Sequence, residues 1–186
     1  MLAAKYPAAQ AAVEMDLEQG DTVRVAVRDA KRRRAGAATF DLLDVLGAAL
    51  RNHALKTRKI AVLWAAAAES AALRDALETA RRHKLPIVFV VESESPGNRN
   101  GAASLLNNDV DPGEELPHIA VDGNDVVALY RVAHEAIDRA RRDRGPTLIE
   151  CAAYRVQGRP SRRRLDPVAN LKSYLKAKGI PVPKRT

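Results

Sequence analysis

The most constraining feature of this sequence is an unbroken apolar run, Ile-Val-Phe-Val-Val, at positions 87–91. It follows Leu85-Pro86, a pair that ends the preceding helical pattern, and it gives way to acidic and polar residues. A continuous apolar run of this length between helical segments is typical of a parallel strand buried on both faces, because a sheet covered on both sides leaves no solvent-facing position. We therefore expect an α/β domain built around this strand.

Residues 122–155 predict a complete unit of turn, helix, turn and strand. The opening Asp-Gly makes the first turn, and Asn124 or Asp125 is expected to accept hydrogen bonds from the free amides of the helix start. A Gly-Pro pair at 145–146 ends the helix, and residues 147–154 then predict a strand that returns to the sheet. The positions expected on the inner face of the helix are Val126, Val127, Tyr130, Ala133 and Ile137.

The remaining elements follow the same alternation of strand and helix. Helices are predicted at 40–52, at 65–84 and from Asp166-Pro167 to Gly179, and strands at 59–64 and 118–121. Expected inner positions are Leu73, Ala76, Leu77 and Ala80 in the second of these helices, and Val168, Leu171, Tyr174 and Leu175 in the last. This alternation predicts a parallel sheet with helices on both faces.

The length fits one domain, which we expect at residues 41–186, preceded by an N-terminal extension or arm at residues 1–40. Within the first 40 residues, an Ala-rich helix is expected at 8–17 and a half-exposed strand at 21–27. A short hairpin, an arm and a partner-docking tail all remain open for this segment.

The net charge of +8 raises the question of nucleic-acid binding. The arginine clusters at 32–34, 141–144 and 162–164 lie at element ends or in loops, and no aromatic residues interleave with them as stacking platforms. We therefore favour a solvated basic surface, or a patch for an acidic protein, over nucleic acid.

The single cysteine, Cys151, excludes an internal disulfide and a thiolate-rich metal site, and its place in a predicted strand is typical of a small buried apolar residue. No apolar run approaches the length of about 18 residues that a membrane span needs. The first residues also lack the apolar core of a signal peptide, so we expect no membrane partner and a cytoplasmic location.

Motifs alone identify no catalytic or metal-binding residue. The four histidines are isolated from one another and from other metal-ligand types, which argues against a zinc site. Glycine-rich phosphate loops and a nucleophile elbow are absent from the sequence. The acidic residues between positions 92 and 115 are most simply a solvated acidic loop.

Four separate blocks nevertheless resemble a known family in their order and spacing. They lie at 85–92, 121–130 and 145–155, and in the pattern Asp-Pro-Val at 166–168 with the apolar residues that follow it to position 180. Together they resemble the alpha subunit of thiamine-diphosphate-dependent 2-oxo acid dehydrogenases of the pyruvate and branched-chain type. The resemblance implies the diphosphate-binding module of the thiamine-diphosphate fold, a beta-subunit partner and an α2β2 assembly. The chain is about half the usual length of such an alpha subunit, and the missing half is mostly N-terminal.

The resemblance breaks down where the family binds its metal. In the family, the strand that matches residues 60–63 runs into Gly-Asp-Gly, whose aspartate ligates Mg²⁺. Here the three positions hold Trp64, Ala65 and Ala66. Ala65 has no oxygen to coordinate a metal, and Trp64 fills space that the cofactor needs.

Two further family positions are also changed. The family has Glu-Asn-Asn after the apolar strand, and its second asparagine completes the metal shell, whereas this chain has Glu92, a serine and Glu94. Glu94 offers oxygen to a hard cation, but without the aspartate that site is partial at best. Arg155 matches the family's Tyr-Arg, yet Arg159 stands where a histidine near the reactive end of the cofactor is expected.

These losses predict a dehydrogenase alpha-subunit-like scaffold without catalytic residues, metal or bound cofactor of its own, because a magnesium–diphosphate group without its carboxylate ligand is poorly stabilised. Such a protein would act as an oligomerisation partner, in a homo-oligomer or with a beta-subunit-like protein. One alternative is a working component of a thiamine-diphosphate-dependent 2-oxo acid dehydrogenase, with thiamine diphosphate and Mg²⁺ bound and missing groups supplied by a beta-like partner. The other is a basic binding module for nucleic acid or an acidic protein.

Overall fold

The structure is a computed structural model, and it describes residues 12–26, 37–66, 71–93, 116–152 and 167–182. Within this part, five strands form one sheet in the order β1-β2-β3-β5-β4, and every pairing is parallel. The strands are Thr22–Ala26 (β1), Ala61–Ala66 (β2), Ile87–Ser93 (β3), His118–Asp122 (β4) and Thr147–Ala152 (β5). The predicted parallel α/β sheet is confirmed.

The longer helices of the described residues are Ala37–Ala54 (α1), Ala71–Arg82 (α2), Val126–Arg141 (α3) and Pro167–Ala177 (α4). The chain advances from β1 through β2 to β3, then passes beyond the β5 position to β4 and returns to β5 through α3. Because parallel crossovers are right-handed, a connection that advances and one that returns place their helices on opposite faces. Accordingly α1 and α2 cover one face and α3 covers the other, while α4 packs on α3.

The two faces of the sheet bury two separate apolar clusters. The α3-side cluster joins the sheet to α3 and to the helical turn at residues 12–14, where Ala12 and Val13 are buried. The α1-side cluster joins the sheet to α1 and α2. β3 supplies both clusters by alternation: Val88 and Val90 face α3, whereas Ile87, Phe89 and Val91 face α1 and α2. The apolar run at 87–91 is thus buried on both faces, as predicted.

The predicted inner face of α2 is confirmed, since Leu73, Ala76, Leu77 and Ala80 are buried. The predicted helical span is wrong at residues 65 and 66, because these alanines continue β2 and pair with Val91 and Glu92 of β3. The helix begins at Ala71, next to Glu69 and Ser70, which the sequence indicates as its start. Alanine at 65–68 carries no periodic signal that separates strand from helix, so the register with the neighbouring strand decides.

Two predicted inner faces also need correction. In α3, Ala133 and Ile137 are buried as predicted, but Leu129, Ala136 and Ala140 complete the buried face and Tyr130 is only half-buried. In α4 no residue is buried, although Val168 and three other apolar positions were expected to face the core. The reason is that α4 lies on α3 rather than on the sheet, so its apolar side meets little of the core.

A group of charged residues ties the segment before β1 to the end of α3. The Arg141 guanidinium lies 2.7 Å from a carboxylate oxygen of Asp21 and 3.3 Å from one of Glu18, and it donates to the backbone oxygen of Asp16 at 2.9 Å. Arg141 is 11% exposed and Asp21 only 1%. The prediction of a solvated arginine cluster at 141–144 is therefore wrong for Arg141, which is a buried structural ion-pair partner.

The described part of residues 1–40 packs with the sheet: β1 pairs with β2, and α1 begins at residue 37. The division of the chain at residue 40 stays a prediction, since residues 27–36 lie outside the described part. Among the described residues, none of the helices has the length and apolar character needed to cross a membrane.

Candidate functional site

The candidate site is the carboxyl edge of the sheet, where β2, β3, β5 and β4 end side by side. In a parallel sheet, ligands bind outside the carboxyl ends of the strands, near the point where the strand order reverses. That reversal lies between β3 and β5. The register places Ala66 beside Glu92, Glu92 beside Cys151, and Cys151 beside Val121. Three of the predicted family positions, Ala65, Ala66 and Glu92, thus lie at this edge with Trp64 one step below.

Trp64 and Glu92 are in direct contact. The indole Nε1–H of Trp64 donates a hydrogen bond of 2.8 Å to the Oε1 atom of Glu92 on the neighbouring strand. Trp64 is only 3% exposed and packs in the α3-side cluster, because it shares a face of the sheet with Val62 and Val90. A diagonal pair on neighbouring strands lies within reach of a long aromatic side chain, which explains the contact. The pair therefore closes the α3 side of the carboxyl edge.

Ala65 lies on the opposite face. It belongs to the α1-side cluster and is 7% exposed. Since neighbouring residues of a strand point to opposite faces, an oxygen ligand at position 65 would point away from the carboxylate of Glu92. The Cβ of Ala65 offers only an apolar contact there. Trp64 and Ala65 consequently present no metal ligand at the position where the family has its aspartate.

Cys151 lies beside Glu92 on β5 and is fully buried. Burial, with the negative charges of Glu92 and Glu150, raises the pKa of the Cys151 thiol to about 12. A thiol that stays protonated is a poor nucleophile and a poor metal ligand. The predicted role of a small buried apolar residue is confirmed.

This pKa predicts a loss of stability in alkaline solution. The unfolded thiol titrates near pH 9.0 and the folded thiol near pH 12, so the unfolded state releases its proton first as the pH rises. The stability contributed by the neutral thiol is complete below pH 9 and falls by about 1.4 kcal/mol per pH unit between the two values. Urea unfolding at several pH values should show a steeper decline in wild type than in Cys151→Ala. Equal slopes for the two proteins would contradict the assignment.

The start of α3 also lies at the carboxyl edge, and its carboxylates already have backbone partners. Asp125 is the N-cap and accepts from the amides of Val127 and Ala128 at 3.1 and 3.0 Å, which selects Asp125 over Asn124 as the predicted cap. Asp122 accepts from the amide of Asn124 at 2.9 Å. Both carboxylates organise the turn between β4 and α3.

The sequence analysis did not single out the pair of Glu150 and His118. Glu150 is 1% exposed, faces the α1 side of β5, and places Oε2 3.1 Å from Nε2 of His118 on the edge strand β4. A glutamate between the apolar residues of a buried strand is itself a signal, because a buried charge needs a partner. The partner could not be named from the sequence, since it lies 32 residues away on another strand.

The described side chains do not fit a magnesium–diphosphate group. Position 65 supplies no oxygen, and Oε1 of Glu92 accepts from the indole of Trp64. Across the described ranges, no group of three or more His, Cys, Asp or Glu side chains comes together in a way that could hold a metal ion. Glu94, Arg155 and Arg159 lie outside the described residues, so their predicted places in the site stay predictions.

Comparison with known proteins identifies the family. The model of the family described as "Dehydrogenase E1 component" matches residues 35–167. The chain belongs to this family, and the predicted resemblance to alpha subunits of 2-oxo acid dehydrogenases is confirmed.

Curated relatives agree with that assignment. The "3-methyl-2-oxobutanoate dehydrogenase subunit alpha" of Mycobacterium tuberculosis is 34% identical over an alignment of 161 positions, and the match covers 74% of this chain and 43% of the relative. The "Pyruvate dehydrogenase E1 component subunit alpha-3, chloroplastic" of Oryza sativa subsp. japonica is 36% identical over an alignment of 119 positions, and the match covers 54% of this chain and 28% of the relative. The matched regions thus span less than half the length of these relatives.

A solved structure, "The Crystal Structure of Benzoylformate Decarboxylase from Polynucleobacter necessarius", aligns with 82% of this chain and 33% of its own. Its TM-score is 0.44 at 14% sequence identity. The family assignment rests on the family model and on the sequence relatives.

Proposed function

We propose that this chain is an alpha-subunit-like member of the family that does not bind thiamine diphosphate and Mg²⁺ and acts as a non-catalytic scaffold in a protein assembly. The observation that carries the proposal is the contact between Trp64 and Glu92 at the carboxyl edge, together with alanine at position 65. On one face of the sheet position 65 lacks the ligand oxygen, and on the other face the Trp64 indole engages the Glu92 carboxylate, so both observations point in the same direction.

The charge of the diphosphate and the packing of Trp64 both disfavour binding of the cofactor. A diphosphate carries several negative charges, and Mg²⁺ neutralises them only when oxygen ligands hold the ion in near-octahedral geometry. Position 65 cannot supply such a ligand. On the other face, Trp64 would have to leave a packed core to free the Glu92 carboxylate, and emptying the place of a buried aromatic side chain costs about 3–5 kcal/mol. Binding would have to offset that cost without its main ligand.

Family membership and ion pairing guide the choice of partner. Curated relatives are named as alpha subunits, which supports a partner protein of the beta-subunit type or a second copy of the chain. In the basic cluster at 141–144, Arg141 is buried in ion pairs and Arg142 pairs with Asp138 at 3.0 Å, so this cluster is a weaker candidate for nucleic acid. A cytoplasmic location stays part of the proposal.

Titration calorimetry with thiamine diphosphate and Mg²⁺ tests the loss of the cofactor site. We expect no saturable heat from a sample whose circular dichroism shows a folded chain. Trp64 is the only tryptophan and lies at the carboxyl edge, so its fluorescence is an independent probe of binding at this place. We expect the emission to be unchanged by the two ligands together.

Saturating heat near one equivalent that requires the metal, with a change in Trp64 emission, would overturn the proposal and favour a working dehydrogenase component. Glu92→Gln would then be the matched control, since it removes the carboxylate charge and keeps an oxygen that can accept from the indole. The same titration repeated with a beta-subunit-like protein present tests whether a partner restores the site.

A further inference from the structure

The helix α1 has an exposed apolar stripe. Leu43 is 61% exposed and Leu50 is 46% exposed, although both lie within a helix whose other side covers β1 and β2. Gly47 lies between them on the same face, since residues three and four apart are neighbours on a helix surface. The stripe is therefore two leucines on either side of a shallow notch.

Packing within the described chain does not explain the glycine. A Cβ atom built on Gly47 would meet no described atom within 4 Å. Glycine weakens a helix relative to alanine because its backbone loses more freedom on folding. Because Gly47 has no side chain and no described atom lies near it, another helix can approach α1 closely at this position.

Charged residues flank the stripe in a self-complementary order. Asp44 and Arg51 are both exposed, lie seven residues apart and therefore project from the same flank of α1. A two-fold axis at Gly47 that pairs α1 with its own copy in antiparallel fashion keeps this flank on the same side of both helices. Along the helix axis, Asp44 is then offset by one residue, about 1.5 Å, from Arg51 of the partner subunit. The two-fold axis repeats this contact at the other end of the pair.

We propose that α1 is a dimer contact that binds α1 of a second copy of this chain, antiparallel and crossing at Gly47. Leu43 faces the region of Leu50 of the partner subunit, and the glycine lets the helix axes approach. This inference rests on the proposed scaffold function and deepens it by naming the partner. A different protein would not require the order acidic, glycine, basic along the helix, whereas a symmetric contact does.

Sedimentation velocity over a range of concentrations tests the contact, with two single charge reversals and their combination. We expect wild type to dimerise and either Asp44→Arg or Arg51→Asp to raise the dissociation constant by about tenfold or more, because each places like charges together at both ends of the contact. The double variant should restore the wild-type constant. Lys172→Asp on α4 is the matched control, since it reverses an exposed charge elsewhere and should change nothing.

Gly47→Leu gives a second measurement that does not depend on charge. Its side chain meets no described atom of its own chain, so the chain should fold, yet the notch is filled and dimerisation should fall strongly. A wild-type chain that stays monomeric at every concentration, or a dimer that responds to none of these variants, would overturn the proposal. If the titration above showed cofactor binding, the measured dimerisation would not be affected. Failure of the scaffold proposal can therefore be told apart from failure of the dimer proposal.

Discussion

Replacing Trp64 with alanine is expected to lower the free energy of unfolding by about 4 kcal/mol, because it empties the place of a large buried side chain. The indole packs in the α3-side cluster between the sheet and α3, where the surrounding strands cannot close over the gap. Its loss also removes the donor to Glu92, whose carboxylate then depends on water for its hydrogen bonds. Urea unfolding followed by far-ultraviolet circular dichroism measures the effect without relying on the fluorescence that the variant has lost.

Trp64→Phe separates the two contributions. The phenyl ring keeps much of the apolar contact but cannot donate, so a loss of about 1–2 kcal/mol is expected, between wild type and alanine. Met15→Ala, at an exposed apolar position outside the core, is the control and should stay within about 0.5 kcal/mol. A Trp64→Ala cost below 1 kcal/mol would show that the indole is not packed as described, and the argument that it blocks the carboxyl edge would fall with it.

The parts of the fold that the sequence predicted best are those where two signals agree. At β3, an apolar run is bounded by a helix-ending pair on one side and polar residues on the other, and only a strand fits that length. At α3, the capping residue and the apolar period mark the same helix; the structure ends it at Arg141, four residues before the predicted Gly-Pro stop, and changes the membership of its buried face. Independent local signals that agree leave little for tertiary packing to decide.

The prediction was wrong where local signals were silent. Residues 65 and 66 are alanines, which fit a strand or a helix equally, and hydrogen bonding to β3 makes them strand. In α4, the apolar stripe predicted a face buried in the core, but the helix packs on α3 and none of its residues is buried. A periodic stripe does not say which surface it meets. Long-range pairing and packing partners are the information that a local pattern does not carry.

In the candidate site, too, the sequence predicted the local features and not the long-range contacts. The motif comparison identified Trp64 and Ala65 as altered positions and Glu92 as a retained glutamate, since it needs only the order of residues. The hydrogen bond between Trp64 and Glu92 depends on the register of two strands, 28 residues apart in sequence. It shows that the Glu92 carboxylate already accepts a hydrogen bond within the chain, which the sequence alone could not show.

Arg141→Met is expected to lower the free energy of unfolding by about 3–5 kcal/mol, the usual cost of removing one partner from a buried ion pair. The carboxylate of Asp21 is 1% exposed and would remain buried and charged, with the backbone amides of Glu18, at 2.8 Å, and Ile60, at 3.0 Å, as its described donors. The variant also breaks the hydrogen bond from α3 to the backbone oxygen of Asp16, so the segment that leads into β1 loses one of its ties to α3 and keeps the contact of His134 with the Asp16 carboxylate at 2.7 Å. Chemical unfolding measures the loss, and amide hydrogen exchange should show faster exchange in β1 than in β3.

Two further variants separate buried charge from lost packing. Combining Arg141→Met with Asp21→Asn removes the buried charge and keeps an oxygen that accepts from the backbone of Ile60. The NH2 group of the new side chain replaces the oxygen that accepts from Glu18, so the combination should recover only part of the loss. Arg142→Met is the matched control: its partner Asp138 is one helical turn away and both side chains are about half exposed, so a change within about 0.5 kcal/mol is expected. If Arg141→Met cost no more than Arg142→Met, the ion pair with Asp21 would contribute no more than a surface contact. The segment before β1 would then be held by Ala12 and Val13 in the α3-side cluster instead.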